Sequence, residues 1–320
     1  MPHYATAPEL TTEYITTVWQ TLPQYVRPTL LLPTPCPELS ERFKCKVTIA
    51  CETFQHTGSF KFRAAYNLLS SVPQHYIIAA SSGNFGQAVA YASKLLGKTC
   101  TIVMPHTAAQ VKIAAVKAFG GVPDLVNVRE VSRAEQVAHL MAMRADAFQA
   151  QAYDDYRVVA GNSTLGQEIF KAAAFDVLIV PIGGGGLISG IVIARDHVWA
   201  HTEIIGAEPL PGNDAARSLH SGQLLRNEHE PETIADGART LSLGKLNWEI
   251  VQHGLTDIIE VPDALTRRAP VVLSSVIACA GQIAMQAASS HCMHITDAEW
   301  VFSSQVLTST RARAGFSSSS

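Results

Sequence analysis

The order of apolar and polar positions predicts short buried strands that alternate with amphipathic helices. Continuous apolar runs such as "YIIAAS", "TCTIVMP" and "FDVLIVPI" are typical of strands buried on both faces of a sheet. Helical spacing follows the first of these runs, with Ala88, Tyr91, Ala92 and Leu95 on one face. Strands that alternate with helices indicate parallel sheets, so the predicted fold class is α/β.

The same pattern gives approximate bounds for the elements. The predicted helices cover 8–20, 60–72, 107–121, 132–145 and 163–173, with two more beginning in "SSGNFGQ" and "GGGGLISG". The predicted strands cover 46–54, 76–81, 99–105, 123–128, 175–182, 202–209 and 257–261. Residues 232–245 have no periodicity and are predicted to form a loop.

Composition narrows the classes of protein that fit. The 320 residues are 47% hydrophobic and 16% charged, and a net charge of -3 without a basic run argues against a nucleic-acid partner. The six cysteines form no C-x-x-C pair, which favours reduced thiols in a cytoplasmic protein. The uncharged stretch Ala269–Thr296 could span a bilayer, but a buried helix and strand are favoured there, so no membrane partner is expected.

Two turns between a strand and a helix are candidate anion sites. Gly183–Gly186 follow a buried strand and open a helix, where bare N–H groups can converge on a phosphate. The alternative is a tightly packed turn, and four consecutive glycines favour phosphate binding. At Ser81–Asn84, hydroxyl and N–H groups suit a carboxylate, but an ordinary helix cap explains this turn equally well.

Lys61 is the candidate reactive amine. It lies between Phe60 and Phe62, just after a glycine turn, and desolvation by these rings would favour its neutral form. A neutral amine can attack a carbonyl and form a Schiff base. Taken alone, a lysine that extends over apolar rings toward water is the more common situation. Together with a phosphate site and a carboxylate site, the lysine indicates pyridoxal phosphate acting on an amino acid.

Five ordered motifs carry a family resemblance: "QHTGSFKFRAA", "SSGNFGQAVAYA", "PIGGGGLISG", "GAEPLPGNDA" and "TIADGART". Over about residues 25–265 the chain resembles the fold-type II pyridoxal-phosphate enzymes, within the serine racemase and serine/threonine dehydratase group. The resemblance implies a fold of two three-layer α/β domains, with the cofactor in the cleft between them. Residues 1–74 and 153–320 would form the large domain and 75–152 the small one.

The resemblance also assigns roles to residues. Lys61 would hold the cofactor and move the α-proton on one face, and Ser82 would serve the opposite face. Cofactor-binding residues would be Phe60, Lys61, Asn84, Gly183, Gly184, Gly185, Gly186 and Leu187. Substrate-binding residues would be Ser81, Ser82, Gly83, Asn84 and Gln87. Glu208, Asp214 and the carbonyl of Gly212 match the spacing of a Mg²⁺ or Ca²⁺ site, whose oxygen ligands suit a hard cation.

The implied function is a dehydratase (ammonia-lyase), a serine racemase or both, acting on small hydroxy amino acids, in a possible homodimer. Phe85 stands where the family usually has His, and Ala64 where it usually has Gly. Residues 266–320 lack the family's Glu-Pro segment and the later loop that contacts the pyridine nitrogen. The alternative is therefore a catalytically impaired protein that still binds pyridoxal phosphate.

Overall fold

The computed structural model describes residues 4–32, 47–198, 201–267, 298–302 and 307–311. The helices in these residues are α1 Thr12–Thr21, α2 Lys61–Ser70, α3 Asn84–Leu95, α4 Gln110–Ala118, α5 Arg133–Met143, α6 Tyr156–Ala172, α7 Gly186–Val198, α8 Asp214–Ser221 and α9 Lys245–Gly254. The strands are β1 Leu30–Leu32, β2 Val47–Cys51, β3 Tyr76–Ala80, β4 Thr99–Pro105, β5 Val122–Val126, β6 Ala147–Gln149, β7 Val177–Pro181, β8 Glu203–Pro209, β9 Asp257–Val261, β10 Ala298–Phe302 and β11 Leu307–Arg311.

Two of the three sets of paired strands are wholly parallel. The first has the order β5-β4-β3-β6 and the second the order β7-β8-β9. In the second, Pro181 pairs with Ala207, and Glu208 pairs with Glu260. The carboxyl ends of parallel strands meet at one edge, so the glycine loop after β7 and the acidic residue at the end of β8 lie along the same edge.

The remaining set is mixed, with the order β1-β2-β10-β11. β2 pairs with β1 in antiparallel register and with β10 in parallel register, where Thr48 lies opposite Val301. Strand β10 belongs to the segment after residue 265 that was expected to diverge, and it nevertheless extends the sheet that leads into α2. The predictions for Ala269–Thr296 lie outside the described residues, which end at 267 and resume at 298.

Helix α6 joins the two parts of the molecule that carry candidate chemistry. It packs against α2, which begins with Lys61, and against α7, which begins in the glycine loop. A Cβ on Gly161 would lie 2.6 Å from the carbonyl oxygen of Arg63, and one on Gly166 would lie 2.6 Å from the Cβ of Ala194. These two glycines therefore let the three helices approach closely, which fixes Lys61 relative to the glycine loop.

The predicted elements are present, with differences that have physical causes. Helix α6 begins at Tyr156, earlier than the predicted 163, because the side chain of Asp155 accepts the N–H of Arg157 and caps the helix. The sequence pattern also missed β6, α8 and α9, which are 3, 8 and 10 residues long. Strand β6 is too short to show a period, whereas α8 and α9 are amphipathic and lie beside a stretch that was interpreted as a loop. No helix within the described residues has the length and apolar character needed to cross a membrane.

Candidate active site

Lys61 is the first residue of α2, and its amine lies among apolar groups. The preceding turn places Thr57 and Gly58 at φ of 61° and 73°, which redirects the chain just before the helix. The Nζ atom lies 5.0 Å from the ring centroid of Phe60 and 5.9 Å from that of Phe85. Its hydrogen bond goes to the carbonyl oxygen of Ala152 at 3.3 Å.

This environment disfavours the charged form of the amine. Burial lowers the pKa of Lys61 from 10.5 to about 8, and within the described residues no carboxylate forms an ion pair with it. A useful fraction of the amine is therefore neutral near physiological pH. The buried position of the Lys61 amine supports the prediction that it is a nucleophile. One of the two aromatic residues beside it differs from the predicted pair.

Phe62 does not flank the lysine, so that part of the prediction is wrong. Its ring is fully buried and packs against His56 at 4.9 Å and Tyr91 at 5.6 Å between ring centroids. Successive side chains on an α-helix point about 100° apart, so the residue after Lys61 faces a different neighbour. Phe85, from the next helix, occupies the second position beside the amine.

The turn Ser81–Asn84, here called the serine loop, joins β3 to α3. Some of its polar groups form hydrogen bonds within the protein, and others have no partner in the described residues. Ser81 Oγ accepts the N–H groups of Gly83 at 3.3 Å and Gly86 at 3.0 Å, so Ser81 caps the helix. Ser82 is half-buried, and its hydroxyl has no partner within the described residues. Asn84 is exposed and Gln87 half-buried at the same helix start. The capping interpretation applies to Ser81, and carboxylate binding by the other residues of the loop stays a prediction.

The glycine loop presents unused N–H groups. The carbonyl of Gly184 accepts the N–H of Gly244 at 3.1 Å and Asn247 Nδ2 at 2.8 Å, and that of Gly186 accepts Asn162 Nδ2 at 2.9 Å. In contrast, the backbone N–H groups from Gly183 to Leu187 find no acceptor in the described part of the chain. Donors without partners at a helix start are what a phosphate requires.

Close packing explains why these positions are glycine. A Cβ on Gly184 would lie 2.3 Å from the ring of Tyr153, and one on Gly185 would lie 2.8 Å from the Cβ of Asn247. Gly185 also has a φ of +90°, which disfavours any other residue. The loop is therefore a tightly packed turn as well as a candidate phosphate site.

The third candidate group is a pair of buried carboxyls. Glu208 and Asp214 are 2% and 1% exposed. Glu208 accepts the N–H groups of Ala215 at 3.3 Å and Ala216 at 2.7 Å, and Asp214 Oδ1 accepts Asn227 Nδ2 at 2.9 Å. Asp214 Oδ2 is buried and has no partner within the described residues.

Burial is the main cause of the shifted pKa values of these two carboxyl groups. It raises the pKa of Glu208 to about 8 and that of Asp214 to about 6, and the two carboxylates repel each other. Gly212 is buried in the short turn Leu210–Gly212 between them. No cluster of three or more His, Cys, Asp or Glu side chains capable of holding a metal occurs in the ranges described. A cation there would therefore depend on the two carboxylates and a backbone carbonyl.

Sequence reasoning missed three contributors to the site. The carbonyl of Ala152 is a backbone group and leaves no signal in the sequence. Tyr153 contacts the glycine loop with a side chain that no motif marks. Phe85 was noticed only as a departure from the family pattern, although an aromatic residue in a polar loop was a detectable signal.

A buried amine and a turn with unpaired N–H groups are features that a lysine-bound aldehyde cofactor with a phosphate group would require. The model of the family "Pyridoxal-phosphate dependent enzyme" matches residues 23–302, and the chain belongs to this family. The match extends past the expected 265. Lys61 and the unpaired N–H groups of the glycine loop fit pyridoxal phosphate, and the expected fold and cofactor are confirmed.

Individual proteins of known activity or structure are similar to this chain. The chain is 36% identical over 230 residues to a serine racemase of Schizosaccharomyces pombe, covering 70% of this chain and 71% of the relative. It is equally identical over 230 residues to an L-threo-3-hydroxyaspartate ammonia-lyase of Saccharomyces cerevisiae, covering 70% of each. The solved structure of maize serine racemase has a TM-score of 0.83 at 27% identity and 91% coverage of both chains. The solved structure of a T.th. threonine deaminase has a TM-score of 0.82 at 29% identity, covering 89% of this chain and 94% of that one.

Proposed function

We propose that this enzyme is an ammonia-lyase, a racemase or both, acting on small hydroxy amino acids such as serine and threonine. The observation that carries the proposal is the Lys61 amine, which has no carboxylate partner in the described residues and a pKa lowered to about 8. The similarity to racemases and ammonia-lyases supports the same two reaction types. Both begin by removing a proton from the α-carbon of an amino acid.

The residues divide the work according to their positions. Bound pyridoxal phosphate supplies an electron sink that makes the α-proton of an amino acid acidic. The N–H groups of Gly183 to Leu187 would hold its phosphate, Phe60 would pack beside its ring, and Asn84 would bond its hydroxyl. Lys61 would bind the aldehyde carbon and, once released by the substrate amine, would take the α-proton at Nζ.

The serine loop would hold the substrate. The N–H groups of Ser82 and Asn84 and the hydroxyl of Ser82, with Gln87, suit a carboxylate at the start of α3, whereas the N–H groups of Ser81 and Gly83 are bonded within the protein. Because Ser82 Oγ has no partner within the described residues, it is free to deliver a proton to the face opposite Lys61, which inverts the amino acid. Loss of the β-hydroxyl as water, followed by hydrolysis of the resulting imine by water, would instead give a keto acid and ammonia.

We also propose a divalent cation, Mg²⁺ or Ca²⁺, at Glu208, Asp214 and the carbonyl of Gly212. The unpaired Asp214 Oδ2 and the raised pKa values of both carboxyls support a positive charge between them. The cation would stabilise the edge that also carries the glycine loop.

We also propose the domain bounds, the cellular location and the oligomeric state of the protein. Strands β3–β6 form a sheet of their own inside 75–152, which supports that range as a small domain and 1–74 with 153–320 as the large one. The buried thiol of Cys100 favours a cytoplasmic protein, and the family resemblance favours a homodimer.

The test combines the full chain with pyridoxal phosphate, Mg²⁺ and L-serine, L-threonine or L-threo-3-hydroxyaspartate in turn, and quantifies keto acid and D-enantiomer. Either product would support the proposal. In the Ser82→Ala variant we expect D-enantiomer formation to fall by about 10²-fold or more, with keto acid formation reduced far less. A cofactor-loaded protein that forms neither product from any of the three amino acids would contradict the proposal. It would favour the alternative, a catalytically impaired protein that still binds pyridoxal phosphate.

A further inference from the structure

Phe85 is the residue of the serine loop that faces the reactive lysine. Its ring centroid lies 5.9 Å from Lys61 Nζ, and Phe60 covers another side at 5.0 Å. Phe85 is 3% exposed and Phe60 is 8% exposed, so both rings exclude water from the space they fill. By the resemblance the family usually has a polar His at this position, so Phe85 departs from the family pattern.

The backbone around Phe85 fixes the ring in place. The two N–H groups accepted by Ser81 Oγ close the turn on either side of it. A Cβ on Gly86 would lie 2.9 Å from the Cγ2 of Ile102, so α3 is pressed against β4 at the next residue. The ring therefore cannot withdraw from the amine without disturbing the start of the helix.

We propose that Phe85 is a positioning residue that, with Phe60, shields the Lys61 amine from water and so keeps it reactive toward the cofactor aldehyde. The inference rests on Lys61 being the amine that binds pyridoxal phosphate. It goes beyond that assignment because it gives the departure from the family pattern a role in the reaction.

Two effects of the rings oppose each other. A ring face within about 6 Å of an ammonium favours the charged amine, by roughly half a pKa unit at such distances. Removal of water favours the neutral amine, by up to several units. Desolvation by burial lowers the pKa of Lys61 to about 8, and the general range of this effect exceeds that of the attraction to the rings.

The neighbouring charged groups are engaged elsewhere and do not account for this effect. Arg63 on α2 is paired with Glu52 and Glu168. Asp154, beyond Ala152, accepts the N–H groups of Lys245 and Leu246.

Further titratable residues lie on these segments, among them His56, Tyr153 and Lys94. His56, in the preceding turn, packs against Phe62 and Tyr91, and Tyr153 packs against the glycine loop. Lys94 lies at the far end of α3, and its side chain is exposed. Burial, to which the two rings contribute, is thus the cause of the lowered pKa of the amine.

The experiment measures how fast full-length protein stripped of cofactor captures added pyridoxal phosphate, from the rise of visible absorbance, between pH 6 and pH 10. Only the neutral amine attacks, so the profile reports the ionisation of Lys61. Pyridoxal phosphate itself titrates equally with every variant, so differences between profiles belong to the protein. Lys61→Ala shows whether the signal requires this amine.

We expect the profile of Phe85→Ser to move about one pH unit upward, which slows capture at pH 7 about tenfold. Phe85→Leu retains an apolar side chain and should stay within about twofold of the wild-type rate. Phe119→Leu is the matched control, because it removes a ring that packs against Tyr91 rather than against Lys61, and its profile should not move. A Phe85→Ser profile equal to the wild-type profile would overturn the inference.

Thermal melts check that each variant is folded. If Phe85→Ser does not fold, Phe85→His keeps a flat ring and is expected to shift the profile in the same direction by a smaller amount; an unchanged profile would overturn the inference. If the wild-type protein captures no cofactor, or Lys61→Ala captures it at the wild-type rate, the assignment of Lys61 fails first. Normal wild-type capture with an unchanged Phe85 profile refutes the role of Phe85 alone.

Discussion

Lys61 and Arg63 lie on the same turn of α2, yet their surroundings are opposite. Arg63 is 0% exposed, and its guanidinium donates to Glu52 at 2.8 Å and to Glu168 at 2.7 Å. It also donates to Thr164 Oγ1 and Thr29 Oγ1. Lys61 has a carbonyl and two aromatic rings around it.

The pKa values follow from these surroundings. Burial alone lowers the pKa of Arg63, but Glu52 and Glu168 outweigh it and hold the pKa above its usual range. Lys61 has no such compensation, and its pKa falls to about 8. A buried charged group that is paired with an opposite charge of the same chain has a structural role. A buried ionisable group without such a partner indicates a candidate ligand-binding or catalytic site. By the same criterion Glu208 and Asp214 resemble Lys61 rather than Arg63.

The largest effect on stability is expected from Arg63→Met. This change leaves the buried carboxyl group of Glu52 and the half-buried one of Glu168 without their cation, so the free energy of unfolding should fall by about 3–5 kcal/mol. Urea denaturation followed by circular dichroism measures it. A loss below about 1 kcal/mol would mean that the Arg63 network contributes little, and the comparison with Lys61 would fail.

Lys61→Met should have the opposite sign in the cofactor-free protein. The folded pKa of about 8 lies below the unfolded value of 10.5, so at neutral pH folding disfavours the bound proton. Removing the amine should therefore raise the free energy of unfolding by about 1–3 kcal/mol below pH 8. The gain should shrink as pH rises from about 8 to 10.5, where the wild-type lysine is neutral in both states. Destabilisation by Lys61→Met at pH 7 would contradict this account.

A divalent cation should stabilise the acidic pair. At a Mg²⁺ or Ca²⁺ concentration ten times its dissociation constant, the expected gain in unfolding free energy is about 1.4 kcal/mol. Asp214→Asn should abolish this gain, because it removes the carboxylate whose Oδ2 has no protein partner in the described residues. Thermal melts with EDTA and with added cation, on both proteins, provide the measurement. Equal stabilisation of the wild type and Asp214→Asn would place the cation elsewhere.

The smallest effect should come from a surface ion pair. Lys112 contacts Asp236, and their side chains are 31% and 62% exposed. Lys112→Ala should lower the free energy of unfolding by about 0.2–1 kcal/mol, and less at high salt. Lys117→Ala is the matched control, since Lys117 lies on the same helix and has no ion pair within the described ranges. If Lys112→Ala lowered the free energy of unfolding as much as Arg63→Met, burial would not explain the difference between exposed and buried ion pairs.

Much of the fold follows from the sequence because buried parallel strands have long apolar runs. Strands β4, β7 and β8 coincide with such runs. Helices α8 and α9 were not predicted although both are amphipathic, because they flank a loop without periodicity. The boundary of α6 depended on one capping aspartate.

The candidate site was predictable where chemistry requires a particular residue in a particular motif. Lys61, the glycine loop and the pair Glu208 and Asp214 were recognised in this way. The second aromatic neighbour of Lys61 was not, because sequence adjacency suggested Phe62, whereas helical geometry and packing of α3 bring in Phe85. The carbonyl of Ala152 could be found only from tertiary structure.

The central claim is that Lys61 is the amine that binds the cofactor. The most direct measurement is to saturate the protein with pyridoxal phosphate, reduce it with borohydride and map the modified peptide by mass spectrometry. The account predicts the pyridoxyl group on Lys61 and its absence from the Lys61→Ala protein. Modification of another lysine, with Lys61 unmodified, would contradict it.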